Sequence, residues 1–402
     1  MDIEWVIYHL IHDDDEGFEE ANLEIDYYDS DVWDRLIASL RHNTTLFKLS
    51  VERAEIVPAR SRNPSQLQEF FEAIASLPSL VELKLKDFAA EDLDNYGFVN
   101  LMTNHKTLTK FTLHVAYGRL DANVPVALAS AARLRQVELD LPTSTPLVAL
   151  CQSSPALEEL TIECFGAGVK FRDEHLIPMA EALCSNRKLT YFDLEHSISA
   201  SGLDHMAQML EHNSTLQVLR LSFFDGIMEQ KTESSSICHR VIEALGKNQS
   251  LTHFHNYQSS QVRVPPEMRY AQLEMLERNY TLGYFLLFHQ EDVARENLYF
   301  KLNLGGRRQL FLNDAAPKSL WLDMLCNHRE DLDCLFYYFS INPSLCKSET
   351  ASSLWTTKNN YKSNNDVTAG QEYEKLQKRQ KLEDKGHSDQ DQLSVCQDDS
   401  RL

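Results

Sequence analysis

Nine times between Leu40 and about residue 287 the chain repeats one phrase: an apolar helical stretch ending in Leu-x-x-Asn-x-Thr/Ser, then Leu-x-x-Leu-x-Leu. The copies run LRHNTTLFKLSV from Leu40, LPSLVELKL from Leu77, LMTNHKTLTKFTL from Leu101, LASAARLRQVEL from Leu128 and LCQSSPALEELTI from Leu150. They continue with LCSNRKLTYFDL from Leu183, LEHNSTLQVLRL from Leu210, LGKNQSLTHFHN from Leu245 and LERNYTLGYFLL from Leu276. The Leu opening each strand phrase falls at 46, 80, 108, 134, 157, 189, 216, 251 and 282, a mean step of about 29.5 residues. Each copy is one supersecondary unit that can bury its apolar sides only against its neighbours. The expectation is therefore one stacked solenoid, not the two or three domains that length alone suggests.

The spacing inside a unit assigns its parts. In Leu-x-x-Leu-x-Leu the last two apolar residues are two apart, as a strand requires, and the intervening side chains point to the opposite face. Ahead of each strand the apolar interval changes to three and four, as in Leu203, Met206, Ala207, Leu210 or Leu67, Phe70, Phe71, Ile74, Leu77. That is a helix burying one stripe. Asn43, Asn186, Asn213, Asn248 and Asn279 stand three residues before the opening Leu, and Asn104 four before. Asn tolerates the left-handed conformation that ends helices, so a C-cap role is expected. NTT, NST, NQS and NYT also match the glycosylation pattern, a reading that the lack of a secretory signal at Met1 to Trp5 disfavours.

The phrase resembles the leucine-rich repeat, in particular its 28-29-residue ribonuclease-inhibitor-like type, over about 240 residues. The resemblance implies an α/β leucine-rich-repeat solenoid (horseshoe) with a parallel inner sheet and outer helices, plus a helical C-terminal cap. It also implies protein-protein recognition. One departure is systematic: where the family places Asn or Cys three residues beyond the last strand Leu, this chain has Ala54, Phe88, Ala116, Pro142, Phe165, Ser197, Phe224 and Ser259. The polar ladder that ties turns together is thus expected to be missing. Asn256, at an apolar strand position, is expected to mark a local distortion.

The net charge of -21 is unevenly spread. Residues 1 to 34 hold thirteen Asp or Glu and no Lys or Arg, residues 347 to 402 carry a net of -1, and the middle is left with -7. Such a chain repels phosphate backbones, so neither nucleic acid nor an anionic membrane is an expected partner. No apolar run approaches the length of a membrane span. Eight cysteines without a C-x-x-C pair read as free thiols in a reducing compartment, hence an intracellular and cytoplasmic rather than nuclear protein.

Nine parallel strands at about 4.8 Å spacing form a sheet roughly 40 Å long, enough for a specific interface. Its open positions run from Lys48, Lys84, Lys86 and Lys110 through an acidic centre to an aromatic end finishing at Phe288. The candidate partner surface is Glu138, Asp140, Glu159, Glu163, Tyr191, Asp193, Glu195, Arg220, His253, His255, Tyr257 and Tyr284. Its charge favours a protein with a basic segment. A Glu159→Lys, Asp193→Lys double variant is expected to abolish capture without altering melting.

Four segments are expected: an acidic N-terminal cap (1-34, with Trp5, Val6 and Leu10 apolar and Asp13 to Glu20 a charged loop), the solenoid (35-289), a helical extension (290-346) and a polar disordered tail (347-402). The extension, with NLGGRRQLF and DLDCLFYYFSINPSLC, resembles that of uncharacterised algal leucine-rich-repeat proteins. It serves as a cap, or as a docking module with Gly305, Gly306, Arg307 and Arg308 as an anion contact. In the tail, Lys378 to Lys381 is a weak nuclear-targeting candidate. No nucleotide-binding, hydrolase or zinc-protease motif is present, and the calcium-like run from Asp92 has Thr103 where Glu is needed. The expectation is a non-enzymatic scaffold with no catalytic residue, metal or cofactor. The alternative is a regulatory subunit, such as a GTPase regulator or ubiquitin-ligase substrate receptor, since the family includes GTPase activators.

Overall fold

The structure is a computed structural model that describes residues 3–11, 19–25, 30–53, 64–93, 96–145, 147–163, 171–223, 233–256, 266–286, 294–305, 307 and 318–342. The chain divides into two compact units, 1–327 and 328–402. In the first, the strands are β1 (Glu20–Ile25), β2 (Lys48–Arg53), β3 (Glu82–Ala89), β4 (Lys110–Tyr117), β5 (Gln136–Asp140), β6 (Glu159–Glu163), β7 (Tyr191–Ile198), β8 (Val218–Phe223), β9 (His253–Asn256) and β10 (Tyr284–Leu286). They form one ten-stranded, all-parallel sheet in sequence order. At least one helix lies between every two consecutive strands, α2 to α11 in chain order from Ser30–His42 to Pro266–Arg278, with two of them between β3 and β4, which is the α/β repeat solenoid that the phrase predicts.

The middle Leu of each phrase and its partner two residues on fill the core. Leu49, Leu83, Phe111, Val137, Leu160, Phe192, Leu219, Phe254 and Phe285 stand in register as one buried row. The helical stripes meet them: Leu67, Phe70, Phe71, Ile74 and Leu77 are buried, as are Leu203, Met206, Ala207 and Leu210. The sheet begins one strand earlier than the nine phrases. β1 pairs in register with β2 from Glu20↔Lys48 to Ile25↔Arg53, and the helix α1 (Ile3–Ile11) buries Val6, Ile7 and Leu10 in the same core. Residues 1 to 34 therefore contain most of a further unit, with Glu20 in a strand rather than a loop. The side chain of Trp5 and the run Asp13 to Glu16 lie outside the described residues.

The repeated Asn is not left-handed. Asn186 has φ −64°, ψ 136° and Asn213 φ −76°, ψ 130°, both extended. Each works through its side chain instead. Oδ1 accepts the N–H groups two and three residues on, as with Thr215 (3.0 Å) and Leu216 (2.8 Å) at Asn213. Nδ2 donates backwards to a carbonyl of the preceding unit: Asn43 to Leu10 (3.3 Å), Asn186 to Cys151 (2.6 Å), Asn213 to Leu183 (2.7 Å), Asn248 to Leu210 (2.7 Å) and Asn279 to Leu245 (2.7 Å). A polar ladder does tie the units together, on the side where the chain enters the strand. The hydroxyl two residues after this position adds a rung, Ser79 to the Thr44 carbonyl (2.6 Å) and Thr107 to that of Leu80 (2.8 Å). Asn43, Asn213, Asn248 and Asn279 are buried with both amide ends engaged, which closes them to a glycan in the folded chain.

Asn104 is no part of the ladder. Its place is taken by His105, whose Nδ1 accepts from the N–H groups of Thr107 (3.4 Å) and Leu108 (3.1 Å). Burial lowers its pKa, which keeps it in the neutral form that this acceptor role needs. Asn256 is buried and pairs in register with Leu221, so the distortion expected there is absent. The register shifts fall between Leu85 and Phe88 on β3 and between Leu194 and Ser197 on β7.

Beyond β10 the period gives way to helices α12 (Ala294–Leu304) and α13 (Lys318–Asn327). Asn303 donates to the carbonyls of Asn279 (3.1 Å) and Leu282 (2.7 Å), and Arg307 to those of Leu276 and Asn279 (both 2.8 Å). Arg307 is fully buried, with the rings of Tyr280 and Tyr299 each 5.1 Å from its guanidinium carbon. It binds backbone oxygens, and this corrects its expected role as an anion contact. Gly306 and Arg308 lie outside the described residues, as do Leu310, Phe311 and the whole tail from residue 343. In the second unit, helix α14 (Leu332–Ile341) is capped by Asp331, which accepts from the Cys334 N–H at 3.2 Å.

Candidate functional site on the open face of the sheet

Helices cover one face of the sheet, and the residues between the buried rows occupy the other. Three rows run across the strands on this open face. The first reads Glu20, Lys48, Glu82, Lys110, Gln136, Glu159, Tyr191, Val218, His253, Tyr284. The second reads Asn22, Ser50, Lys84, Thr112, Glu138, Thr161, Asp193, Arg220, His255. The third carries Glu24, Glu52 and Lys86 on β1 to β3, and His114, Asp140 and Glu163 on β4 to β6.

The first four strands neutralise themselves. Lys48 lies 3.9 Å from Glu20, Lys110 3.0 Å from Glu82 and Lys86 3.2 Å from Glu52. Three of the four lysines expected to form a basic start, Lys48, Lys86 and Lys110, are thus each paired with a glutamate of the neighbouring strand. Such exposed pairs contribute little to stability, but they cancel the local field.

Strands β5 to β7 are different. Glu138, Asp140, Glu163, Asp193 and Glu195 converge there. Burial pushes Glu163 up to about 7, reinforced by the charges of Glu195, Glu138, Asp140 and Asp193. Asp140 is raised to about 6 by burial; His114 opposes the rise, and Asp87 and Glu138 add to it. Thr112 donates to Glu138 (3.4 Å). Glu159 faces solvent at the edge of this group. Asp193 is a special case, almost fully buried and engaged by the Tyr191 hydroxyl (3.0 Å) and by Arg220 (3.6 Å), whose guanidinium also stacks on the Tyr191 ring at 5.6 Å.

The aromatic end is assembled as well. His253 stacks on Tyr284 with centroids 6.1 Å apart, and His255 meets the same ring edge-on at 6.1 Å. Burial, and then Arg220, lower the pKa of His253. Eleven of the twelve candidate residues therefore share one face, whereas Tyr257, like Phe288, lies outside the described residues. Sequence reasoning did not find His114 and Asp87. His114 stands in the row that holds Lys86 and Asp140, and that row position is the signal that reveals it. Asp87 belongs to the β3 bulge, which no spacing rule exposes.

Other chemistry is structural. Cys151, Cys184, Cys238, Cys326 and Cys334 are free, and burial pushes the thiols of Cys151 and Cys238 up to about 12, where they are inert. Asp92 accepts from the Ala89 N–H at 3.1 Å, a helix-capping bond in place of a cation contact. Ser144 and His175 lie 2.7 Å apart, but Ser144 also accepts the Arg172 N–H and His175 faces Arg119 at 3.2 Å, so the pair ties loops together. Among the described residues no helix is long and apolar enough to cross a membrane.

No family model and no curated protein matches the chain. Solved structures similar to it include actin-binding site 2 of leiomodin-1, at 22% identity and a TM-score of 0.28 over 35% of this chain and 79% of that one. A protein of Bacteroides fragilis matches at 10% identity and a TM-score of 0.41, over 68% of this chain and 75% of that one. Neither likeness assigns this chain a family, a ligand or a partner.

Proposed function

We propose that this protein is a non-enzymatic interaction scaffold of the leucine-rich-repeat, ribonuclease-inhibitor-like kind, which takes a basic segment of a partner protein on the open face of β5 to β8. The observation that carries this reading is the convergence of Glu195, Glu138, Asp140 and Asp193 around Glu163, whose charges add to the burial that raises its pKa to about 7. A fold does not gain by placing like charges together on a solvated face. A lysine- or arginine-bearing segment would relieve that repulsion, and the adjoining His253, His255 and Tyr284 would supply flat apolar contact. A GTPase-regulating role would call for an arginine free to reach a phosphate, whereas Arg220 on this face is committed to Asp193 and Tyr191.

The test is binding of lysine- and arginine-rich peptides, measured by titration calorimetry against acidic peptides of equal length. Asp193→Lys does not serve as a probe of binding, because Asp193 is buried and its loss would disturb the sheet. Glu159→Lys with Glu195→Lys is the better pair. Binding of the basic peptides is expected to fall at least tenfold in the variant, with melting unchanged. Equal affinity for both proteins would sink the reading.

A further inference from the structure

On the open face of β2 to β4, Lys48, Lys86 and Lys110 each lie beside a glutamate of the neighbouring strand, whereas Lys84 pairs with no carboxylate among the described residues. The register explains the exception. In the first open row Lys48 stands between Glu20 and Glu82. In the second, Lys84 stands between Ser50 and Thr112, and the Thr112 hydroxyl is given to Glu138 (3.4 Å).

The two residues before Lys84 in that row are equally unengaged. Neither the Asn22 carboxamide nor the Ser50 hydroxyl has a hydrogen-bond partner among the described residues. A carboxamide, a hydroxyl and an ammonium therefore stand in register on β1, β2 and β3, one strand spacing of about 4.8 Å apart. All three line a depression of about 260 Å³, walled by Glu20, Lys48, Glu82 and Lys86. That is room for a side chain and not only for a single water.

The chemistry of the lining selects what enters. Each of the three groups can donate, and the ammonium can do nothing else. Three lysines against two glutamates leave the lining one positive charge in excess. A carboxylate matches both features, with one negative charge and about four acceptor sites on its two oxygens. A phosphate close to a dianion brings more charge than the lining offsets and meets Glu20 and Glu82. A cation would have to compete for those glutamates with Lys48 and Lys110, which already hold them.

We propose that this recess on β1 to β3 is a second binding site, which takes the carboxylate of an Asp or Glu side chain from an acidic partner segment. Lys84 is its counter-charge, and Ser50 and Asn22 are its hydrogen-bond donors. It lies on strands that the basic-segment surface of β5 to β8 does not use, so it stands whether or not that reading holds.

Backbone-amide NMR of the full chain tests it, at about 0.15 M salt so that the protein's overall negative charge is screened beyond about 8 Å. The probe is a short glutamate-containing peptide blocked at both ends, compared with the same peptide carrying glutamine. The glutamate peptide is expected to shift the amides of residues 49 to 51 and 83 to 85, and the glutamine peptide to leave them unmoved. Lys84→Gln should bind the glutamate peptide about tenfold more weakly, through loss of one charge-assisted bond. Ser50→Ala should bind it severalfold more weakly. Lys188→Gln, changed at an exposed lysine in the turn before β7, should bind it as tightly as wild type. Equal affinity for wild type and Lys84→Gln, or no response at those amides at millimolar peptide, overturns the site. Should Lys84→Gln disturb the fold, Ser50→Ala carries the comparison, and equal affinity there overturns the proposal alike. Inorganic phosphate that binds these residues more tightly than the peptide overturns the carboxylate assignment. Binding of lysine-rich peptides is not weakened in Lys84→Gln, which keeps failure of this site separate from failure of the basic-segment reading.

Discussion

Asn213 shows how much one side chain contributes. Its amide accepts two backbone N–H groups from its own unit and donates one bond to the unit before, all in a buried position. Replacing it by Ala removes three bonds at once and leaves the buried Leu216 N–H without its acceptor, which costs more than the bond itself was worth. Asn213→Ala is expected to lose about 2 to 4 kcal/mol in urea unfolding, with an unchanged slope. Asn213→Asp should do no better, because it keeps the acceptor but turns an oxygen towards the Leu183 carbonyl. The position of this residue was legible in the sequence, since a fixed offset from the opening Leu recurs five times. Its role was legible in part. Asn213 does close its helix as the C-cap, with its N–H on the Met209 carbonyl, but in an extended and not a left-handed conformation, and the tie to the unit before leaves no separate mark in the spacing. His105 was illegible for a related reason: the turn needs an acceptor for the N–H groups two and three residues on, and the Nδ1 of an imidazole supplies it without resembling Asn in any pattern.

Elements at the two ends depart most from the repeated phrase, and there the sequence said least. β1 reads EANLEI, with Ala21 and Leu23 buried, Ala21 where longer side chains stand in later units. Its first residue, Glu20, was read as the end of a charged loop. Strand pairing in register with β2 overrides that local signal, because the exposed edge of β2 would otherwise be left unpaired. At the other end, Asn303 and Arg307 satisfy the carbonyls that a further unit would have bonded. An arginine in a Gly-Gly-Arg-Arg run suggests an anion site, yet its burial between two tyrosines makes it part of the cap. Arg307→Ala should therefore loosen the last unit selectively. Limited proteolysis is expected to cut between β9 and α12 first, with stability lowered by about 2 to 3 kcal/mol. Cleavage at the same sites and rates as wild type would show that Arg307 is dispensable.

Across the whole molecule the ladder is uneven. From Asn186 onwards every unit carries it, through Asn213, Asn248 and Asn279 to Asn303. Three earlier units place Leu77, Ala131 and Ser154 at the same point, and none of these has an amide to bond in both directions. Since each unit touches only its neighbours, local opening follows the strength of the junctions. Native-state amide exchange is expected to be faster in β5 and β6 than in β7 to β9, about tenfold for each 1.4 kcal/mol of difference. Uniform protection across the sheet would mean that apolar packing alone sets the junctions. The most strongly charged part of the open face thus lies on the least firmly tied strands. Sequence columns located that face well, because a period of two fixes which side chains share it. They could not show that Lys48, Lys86 and Lys110 are paired, since a column of positions does not tell which carboxylates of the next strand come within reach.

The same amides also carry a record of time. Asparagine ages by cyclising onto the backbone nitrogen that follows it, a reaction that needs a free carboxamide and a pliable chain. In Asn213, Asn248 and Asn279 the carboxamide is clamped at both ends, so the reaction can proceed only during excursions in which the unit comes apart. Isoaspartate accumulating at these three positions in stored protein would count those excursions, unit by unit, over months.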